Sequence, residues 1–363
     1  MSPRRSFLAA SALALTVAAG LAGTAPQGAS AASTPVGRDS SLTWHVTPTG
    51  SSDEFRGLAA VNRKVAWVSG EAGSVLRTAD GGSRWRDVSP PAAKGLALRD
   101  IEAWSSRRAV VLSIGPGDQS RIFRTDNGGR VWKSTFRNPL SAGFFDCMAF
   151  SRSGHGLALS DPVNGHFRLA VSDNFGRSWH LQSTTGMPRA EDGEFAFAAS
   201  GTCIVAISRR SFSFVTGGVD SPRVFTTSDA GRTWTATDTA LRGGPSAGIY
   251  SADFRNRSHG VVVGGDYTAP ANGWRASAYL KGSRDDWTLS TRYVHGYRSG
   301  VAFVSRFRSD VLAVGPTGSD VSRDGGRTWT RFDRRSFDSV ECARDRACWA
   351  SGTDGKVARL ARR

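Results

Sequence analysis

The chain is poor in the features that announce most enzymes and nucleic-acid binders. Its four cysteines, Cys147, Cys203, Cys342 and Cys348, never form C-x-x-C, so zinc-ribbon and thioredoxin-like chemistry has no support. Lysine is scarce, with Lys64, Lys94, Lys133, Lys281 and Lys356 the only ones, and the arginines that carry the charge are scattered rather than clustered. A basic run or recognised motif for nucleic acid is therefore missing, and a nucleic-acid partner is not expected. No G-x-G-x-x-G precedes a helix, which removes the usual nicotinamide and flavin folds and any motif support for an oxidoreductase. "GPSAG" at 244–248 matches a nucleophile elbow in letters only, because it lies between two β-like segments without the strand-to-helix setting. Helical periodicity of useful length is absent, as are low-complexity tracts, so the 363 residues read as globular and all-β. No metal site and no cofactor is expected.

One long apolar run does occur, at the N-terminus. "MSPRRSFLAA" leads into an Ala/Leu-rich stretch ending in "GASAAS", which reads as an export signal over 1–31, removed on maturation. Arg4-Arg5 followed by Phe7-Leu8 resembles a twin-arginine signal. The stretch is short and has no basic stop-transfer cluster, so no transmembrane segment is expected in the mature chain. A short linker over 32–41 and a single domain over 42–363 follow, secreted and expected to be monomeric. The formal charge of +16 falls to about +14 without Arg4 and Arg5 and favours anionic partners such as an acidic glycan or cell-surface polymer. Cys342 and Cys348 flank the turn-like "ARDRA" and are expected to form a local disulfide; Cys147 and Cys203 are left open between buried thiols and a pair.

What is present is a repeat. "TADGGSRW" (78–85), "TDNGGRVW" (125–132), "SDNFGRSW" (172–179), "TSDAGRTW" (227–234) and "SRDGGRTW" (322–329) share a hydroxyl, an Asp or Asn, a glycine and a closing tryptophan. An eroded copy ends at Trp287, and Trp44 looks like the tail of another. The closing tryptophans lie 41 to 55 residues apart, and each interval holds a short β-branched run such as "AVVLSIG" or "GVVVGGD" between further strand-like segments. Four short strands per unit, seven times over, predict a seven-bladed β-propeller. "LTWHV" at 42–46 supplies a fourth strand for a last unit that ends at "KVARL" with only three, so the N-terminal strand closes the ring. In the fourth unit, "EFAFAAS" (194–200) reads as the first strand and "CIVAIS" (203–208) as the second.

These units resemble the Asp-box, or BNR, repeat of sialidases, sortilin-type receptors and the Ycf48/Hcf136-like photosystem II assembly factors. That resemblance implies a structural hairpin between the third and fourth strands. The residues assigned to it are Asp80 and Trp85, Asn127 and Trp132, Asp173 and Trp179, Asp229 and Trp234, and Asp324 and Trp329. The chemistry of the residues agrees. Asp, Asn, Ser and Thr can satisfy a turn's own backbone, glycine supplies positive φ, and tryptophan fills the space between sheets. One carboxylate per copy is too few for calcium, and no helix follows to cradle a phosphate.

If these turns lie at one end of the ring, the first strands begin at the other, where the family habit also places sites. That mouth would present Arg56, Asp100, Asp146, Glu194, Tyr250, Arg298 and Asp338, with Glu71, Asp161, Asn164, His166, Asp266, Tyr267 and Trp274 from neighbouring loops. Such a mixed ring suits a protein or glycan ligand. Arg56, Asp161, Asn164, His166, Asp266, Tyr267 and Arg298 are the binding candidates. Asp100, Asp146, Glu194 and Asp338 are the carboxylates a glycosidase-type hydrolase or lyase would draw on. The sialidase resemblance is incomplete, since an early Arg-Ile-Pro is missing and seven blades are counted. The expectation is a secreted binding or scaffold module rather than an enzyme.

Overall fold

The computed structural model describes residues 39, 41–282 and 286–362. The expected signal over 1–31 and nearly all of the 32–41 linker lie outside them, as does part of the eroded sixth turn. Among the described residues no helix is long and apolar enough to cross a membrane.

Seven antiparallel four-stranded sheets make a seven-bladed propeller. The innermost strands are Phe55–Ala60, Leu98–Ala103, Phe145–Phe150, Ile204–Ala206, Ala247–Asn256, Gly300–Phe303 and Ser339–Cys342, in blades 1 to 7. The second strands are the apolar runs, such as Ala109–Ser113 and Val311–Gly315, buried at every position because each is covered by a blade on both faces. Blade 7 is completed by Leu42–Thr47, which pairs antiparallel with Val357–Arg362 from Leu42 opposite Arg362 to Thr47 opposite Val357. Closure leaves the ring without a free inter-blade edge.

The repeated turns join third to fourth strands, and each is a small closed hydrogen-bond system. In blade 1 the Thr78 hydroxyl donates to Asp80 and accepts from Gly82 N–H, while Arg84 N–H donates to Asp80 Oδ1 at 2.9 Å. Blades 2, 4 and 6 repeat this around Asn127, Asp229 and Asp324. The side chain reaches the N–H four residues on, farther than the two-residue bond expected of a simple Asx turn. Gly82, Gly129, Gly176, Gly231 and Gly326 hold φ between 75° and 94°, the conformation that selects glycine. Burial would raise the Asp229 carboxyl, but the Thr233 hydroxyl and N–H outweigh it and hold its pKa at about 2. In blade 3 the acceptor is Asn174, which takes the Ser172 hydroxyl and Ser178 N–H. Asp173 is therefore not the turn residue; it lies one position too early and pairs with His155 instead.

The closing tryptophans pack between blades. Trp85 of blade 1 meets Trp349 of blade 7 edge-on at 6.1 Å, Trp132 of blade 2 meets Trp67 of blade 1 at 6.3 Å, and Trp44 of blade 7 lies against Phe332 of blade 6 at 5.9 Å. Trp329 of blade 6 is fully buried against Val261 and Val263 of blade 5. Aromatic pairs of this geometry stabilise beyond simple area burial, so the sheet-to-sheet contact is renewed once per repeat.

Blade 4 departs from the strand reading. "CIVAIS" supplies its innermost strand, Ile204–Ala206, which pairs with Phe212–Val215 from "RRSFSFVTG". "EFAFAAS" is not a strand of the sheet; it makes only the isolated bridge Phe195–Gly217. An alternating segment can fill a channel as readily as a ladder, and periodicity does not distinguish the two. Both cysteine pairs are disulfides. Cys342–Cys348 joins the first two strands of blade 7, and Cys147–Cys203 ties the innermost strand of blade 3 to the residue preceding that of blade 4.

Candidate functional site

The innermost strand of a blade pairs on one side only, so its channel-facing N–H groups need partners. Inward side chains of the preceding blade supply several. Asp100 accepts Met148 N–H at 2.6 Å, Ser251 accepts Val301 N–H at 2.9 Å, Asp253 accepts Phe303 N–H at 2.7 Å and Glu341 accepts Ala60 N–H at 2.6 Å. The Phe150 N–H lies against Glu102 in the same way. Between blades 3 and 4 the Cys147–Cys203 disulfide makes the inner link covalently.

This construction places several carboxylates around one narrow channel. Burial drives Asp100 and Glu102 well above the carboxylate range, and the negative charge of Glu341 adds to both. Burial takes Glu341 to about 8, with Asp253 contributing, and takes Asp253 to about 6. Sequence reasoning found Asp100 but missed Glu102, Asp253 and Glu341. Each lies two residues after an inward-facing Asp100, Ser251 or Ser339, so period-two alternation continued one step down the strand identifies them.

The two ends of the channel differ. At the end opposite the repeated turns, residues 195–202 lie across the mouth. Phe195 and Gly217 exchange backbone hydrogen bonds, and Ala196 N–H donates to Asp161 of blade 3 at 2.9 Å. Arg99 of blade 2 donates to Ala198 O at 2.7 Å, and Arg56 of blade 1 to Ala199 O at 3.2 Å. The Ser200 hydroxyl donates to Ser299 O of blade 6 at 2.6 Å. Phe197 stacks on Tyr250 with ring centroids 3.7 Å apart, and Tyr250 meets Tyr297 edge-on at 4.7 Å. Gly201 has φ 77°, and a Cβ there would meet Asp100 Oδ1 at 2.5 Å, so glycine is required where the segment turns down into the channel.

The predicted site residues are distributed accordingly. Arg56 lies within reach of Glu54 (2.6 Å), Glu71 (3.4 Å) and Asp338 (3.6 Å), and Arg99 pairs with Glu71. Burial raises both Glu71 and Asp338, although the two guanidiniums work against it. Asp146 and Asp161 are a carboxylate pair under the sealing segment. Burial brings Asp161 to about 7, and burial with the neighbouring Asp161 charge takes Asp146 well up. Glu194 does not begin an inner strand; it is buried and held by Arg223 Nε at 2.9 Å and the Thr216 hydroxyl at 2.6 Å. Arg298 is also no open ligand site. It is fully buried, donating to Asp320 at 2.7 Å, Tyr297 O and Thr317. Burial would raise Asp320, but Arg298 and His295 outweigh it and lower its pKa. Asp266 is tied to Arg242 and Ser246, each at 2.9 Å. Asn164 sits at φ 57° in a hairpin turn, with His166 beside it. Tyr267 and Trp274 are 54% and 57% exposed, with the Arg275 guanidinium over the Trp274 ring.

At the other end, the one bearing the repeated turns, the channel opens. A cavity of about 360 Å³ runs from Ser200–Thr202 past the four carboxylates to Arg152, Arg306 and Arg344. Phe307, 95% exposed, stands at the same rim. The charges of Arg344 and Arg306 both lower the pKa of Arg152. Among the described residues no group of three or more His, Cys, Asp or Glu is arranged to hold a metal ion.

The class is thus a closed seven-bladed β-propeller, its channel sealed at one end. No family model and no curated protein matches the sequence. Solved structures do match in fold. "YCF48 bound to D1 peptide" aligns with TM-score 0.57 and 15% identity over 87% of this chain and 96% of that one. "YCF48 from Cyanidioschyzon merolae" gives 0.59 and 17% over 87% and 98%. "Crystal structure of RRP9 WD40 repeats" gives 0.61 and 11% over 90% and 98%. Identities this low speak to the propeller architecture and leave function to the residues.

Proposed function

We propose that this propeller is a binding module of the Asp-box kind that presents its sealed face to a protein partner. The observation that carries the reading is the pair of exposed aromatics, Tyr267 and Trp274, on a face where most charged side chains already hold partners within the protein. Large aromatics left in water beside a rigid, internally neutralised surface are what a protein contact uses as anchors. A similarly folded propeller carrying a peptide, YCF48 with its D1 peptide, supports a peptide or protein ligand. Catalysis is the weaker reading, because Asp100 and Glu194 are committed to backbone and guanidinium partners, and Asp146 and Asp338, though each keeps an unpartnered oxygen, are buried beneath the sealing segment and beside Arg56. We also propose export from the cytoplasm, a reading supported by the signal-like N-terminus and the two disulfides.

The test is a displayed-peptide selection on the mature protein, repeated with Tyr267→Ala/Trp274→Ala. Selected peptides should lose at least about tenfold in affinity for the variant, with melting temperature unchanged. Peptides that bind both proteins equally overturn the assignment of the face. A parallel glycan array separates a sugar ligand from a peptide. Release of sugar from any arrayed glycan overturns the binding-only reading.

A further inference from the structure

A second concave site lies away from the channel, on the turn-bearing end between blades 3 and 4. It is a cleft of about 630 Å³. Blade 4 contributes Arg209 and Arg210 from the loop after its innermost strand and Arg232 from its repeated turn. Blade 3 contributes His180 and Gln182 from its outermost edge. Among the described residues the guanidiniums of Arg209, Arg210 and Arg232 have no ion-pair or hydrogen-bond partner, unlike Arg56, Arg99, Arg223 and Arg298 at the sealed end. All three are exposed.

The single carboxylate at this cleft does not cancel them. Asp173, displaced from the turn because Asn174 does its work, is bound to His155 Nδ1 at 2.6 Å. The other ring nitrogen of His155 faces Ala230 O at 3.1 Å. The histidine is thereby a strut joining the two blades, and it engages one oxygen of an aspartate whose side chain stays 73% exposed. Gln182 fixes the same seam by donating to Gly231 O. Three guanidinium forks against this one carboxylate leave the cleft with a cationic excess to face a ligand.

We propose that this cleft binds a phosphate-bearing ligand with at least two anionic groups, such as successive phosphates of a chain. Guanidinium forks match phosphate oxygens bidentately, and three of them on one concavity exceed what one phosphate requires. The cleft is larger than a single phosphate needs, which favours a ligand that extends along it. The inference does not rest on the reading of the sealed face.

Titration calorimetry with inorganic pyrophosphate and with short-chain polyphosphate at low salt tests it, the two probes separating a small ligand from a polymer. Arg209→Ala/Arg210→Ala should weaken binding by at least about tenfold and Arg232→Ala by at least about fivefold. The control is Arg84→Ala/Arg130→Ala, which removes the same charge from the turns of blades 1 and 2 and should change affinity less than about twofold. Because all five side chains are exposed, melting temperatures should not move. Three results overturn the proposal: no pyrophosphate or polyphosphate binding by the unaltered protein, equal weakening by the control pair, or tighter binding of a carboxylate polymer such as polygalacturonate than of polyphosphate.

Discussion

The two ends of this ring are built from the same strands and have become opposites. At one end a peptide segment crosses the channel, and arginines, acids and aromatics are consumed in holding it. At the other the channel is open, its acids line the wall, and Arg152, Arg306 and Arg344 stand at the rim. Repetition determines where the ends are, but not which is open. That was settled by one irregular unit, blade 4, whose sheet begins late and releases residues 195–202 to lie across the mouth.

The comparison can be broken most severely beneath the sealed end. Asp320→Ala leaves Arg298 buried without its carboxylate and should cost about 3–5 kcal/mol, read from denaturant unfolding. Phe197→Ala, which removes the ring stacked on Tyr250, should cost about 3 kcal/mol. It should also speed hydrogen exchange at Met148 and Val301, whose amides face the channel, more than at amides in the outer strands. Equal acceleration everywhere would mean that the segment is not a seal.

The open end should respond to pH. Glu341 has a folded pKa of about 8 against an ordinary 4.5, so its neutral form is favoured by folding. Its contribution is fully present below about pH 4.5 and is lost as pH rises through about 8. Glu341→Gln keeps an acceptor for Ala60 N–H and should flatten the fall in melting temperature between pH 5 and 8, at roughly 2–4 °C per kcal/mol recovered. An unchanged slope would place the proton uptake elsewhere. The smallest effect separates two neighbours in a repeated turn. Asn174→Ala should destabilise by about 1 kcal/mol, while Asp173→Ala should stay within about 0.5 kcal/mol, both measured by thermal melts.

Most of the architecture was legible because a repeat states each physical requirement several times. Gly82, Gly129, Gly176, Gly231 and Gly326 mark the same backbone conformation, and Trp85, Trp132 and Trp329 the same gap between sheets. The closing strand was legible because the first and last units were each incomplete. The irregular unit was not, since "EFAFAAS" alternates as a strand does and only pairing distinguishes a ladder from a seal. Arg298 and Asp266 looked like ligand groups because a sequence shows charge without showing the partner that neutralises it. The Cys147–Cys203 link depends on "CIVAIS" carrying the innermost strand of blade 4, and in the sequence its residues read as the second strand.

The pairing of Leu42 with Arg362 has a consequence for how the molecule comes into being. Val357–Arg362 can pair with Cys348–Ser351 beside it, but Leu42–Thr47 has no partner until that distant strand arrives, so this is among the contacts with the greatest loop-closure entropy in the chain. A ribosome-bound or C-terminally truncated chain holds up to six blades and an unmated first strand, with Trp44 uncovered. Completion of the ring therefore comes only after Val357–Arg362 has been made. Any machinery that handles this protein before that pairing meets an open arc with two sticky ends, and any that handles it afterwards meets a ring.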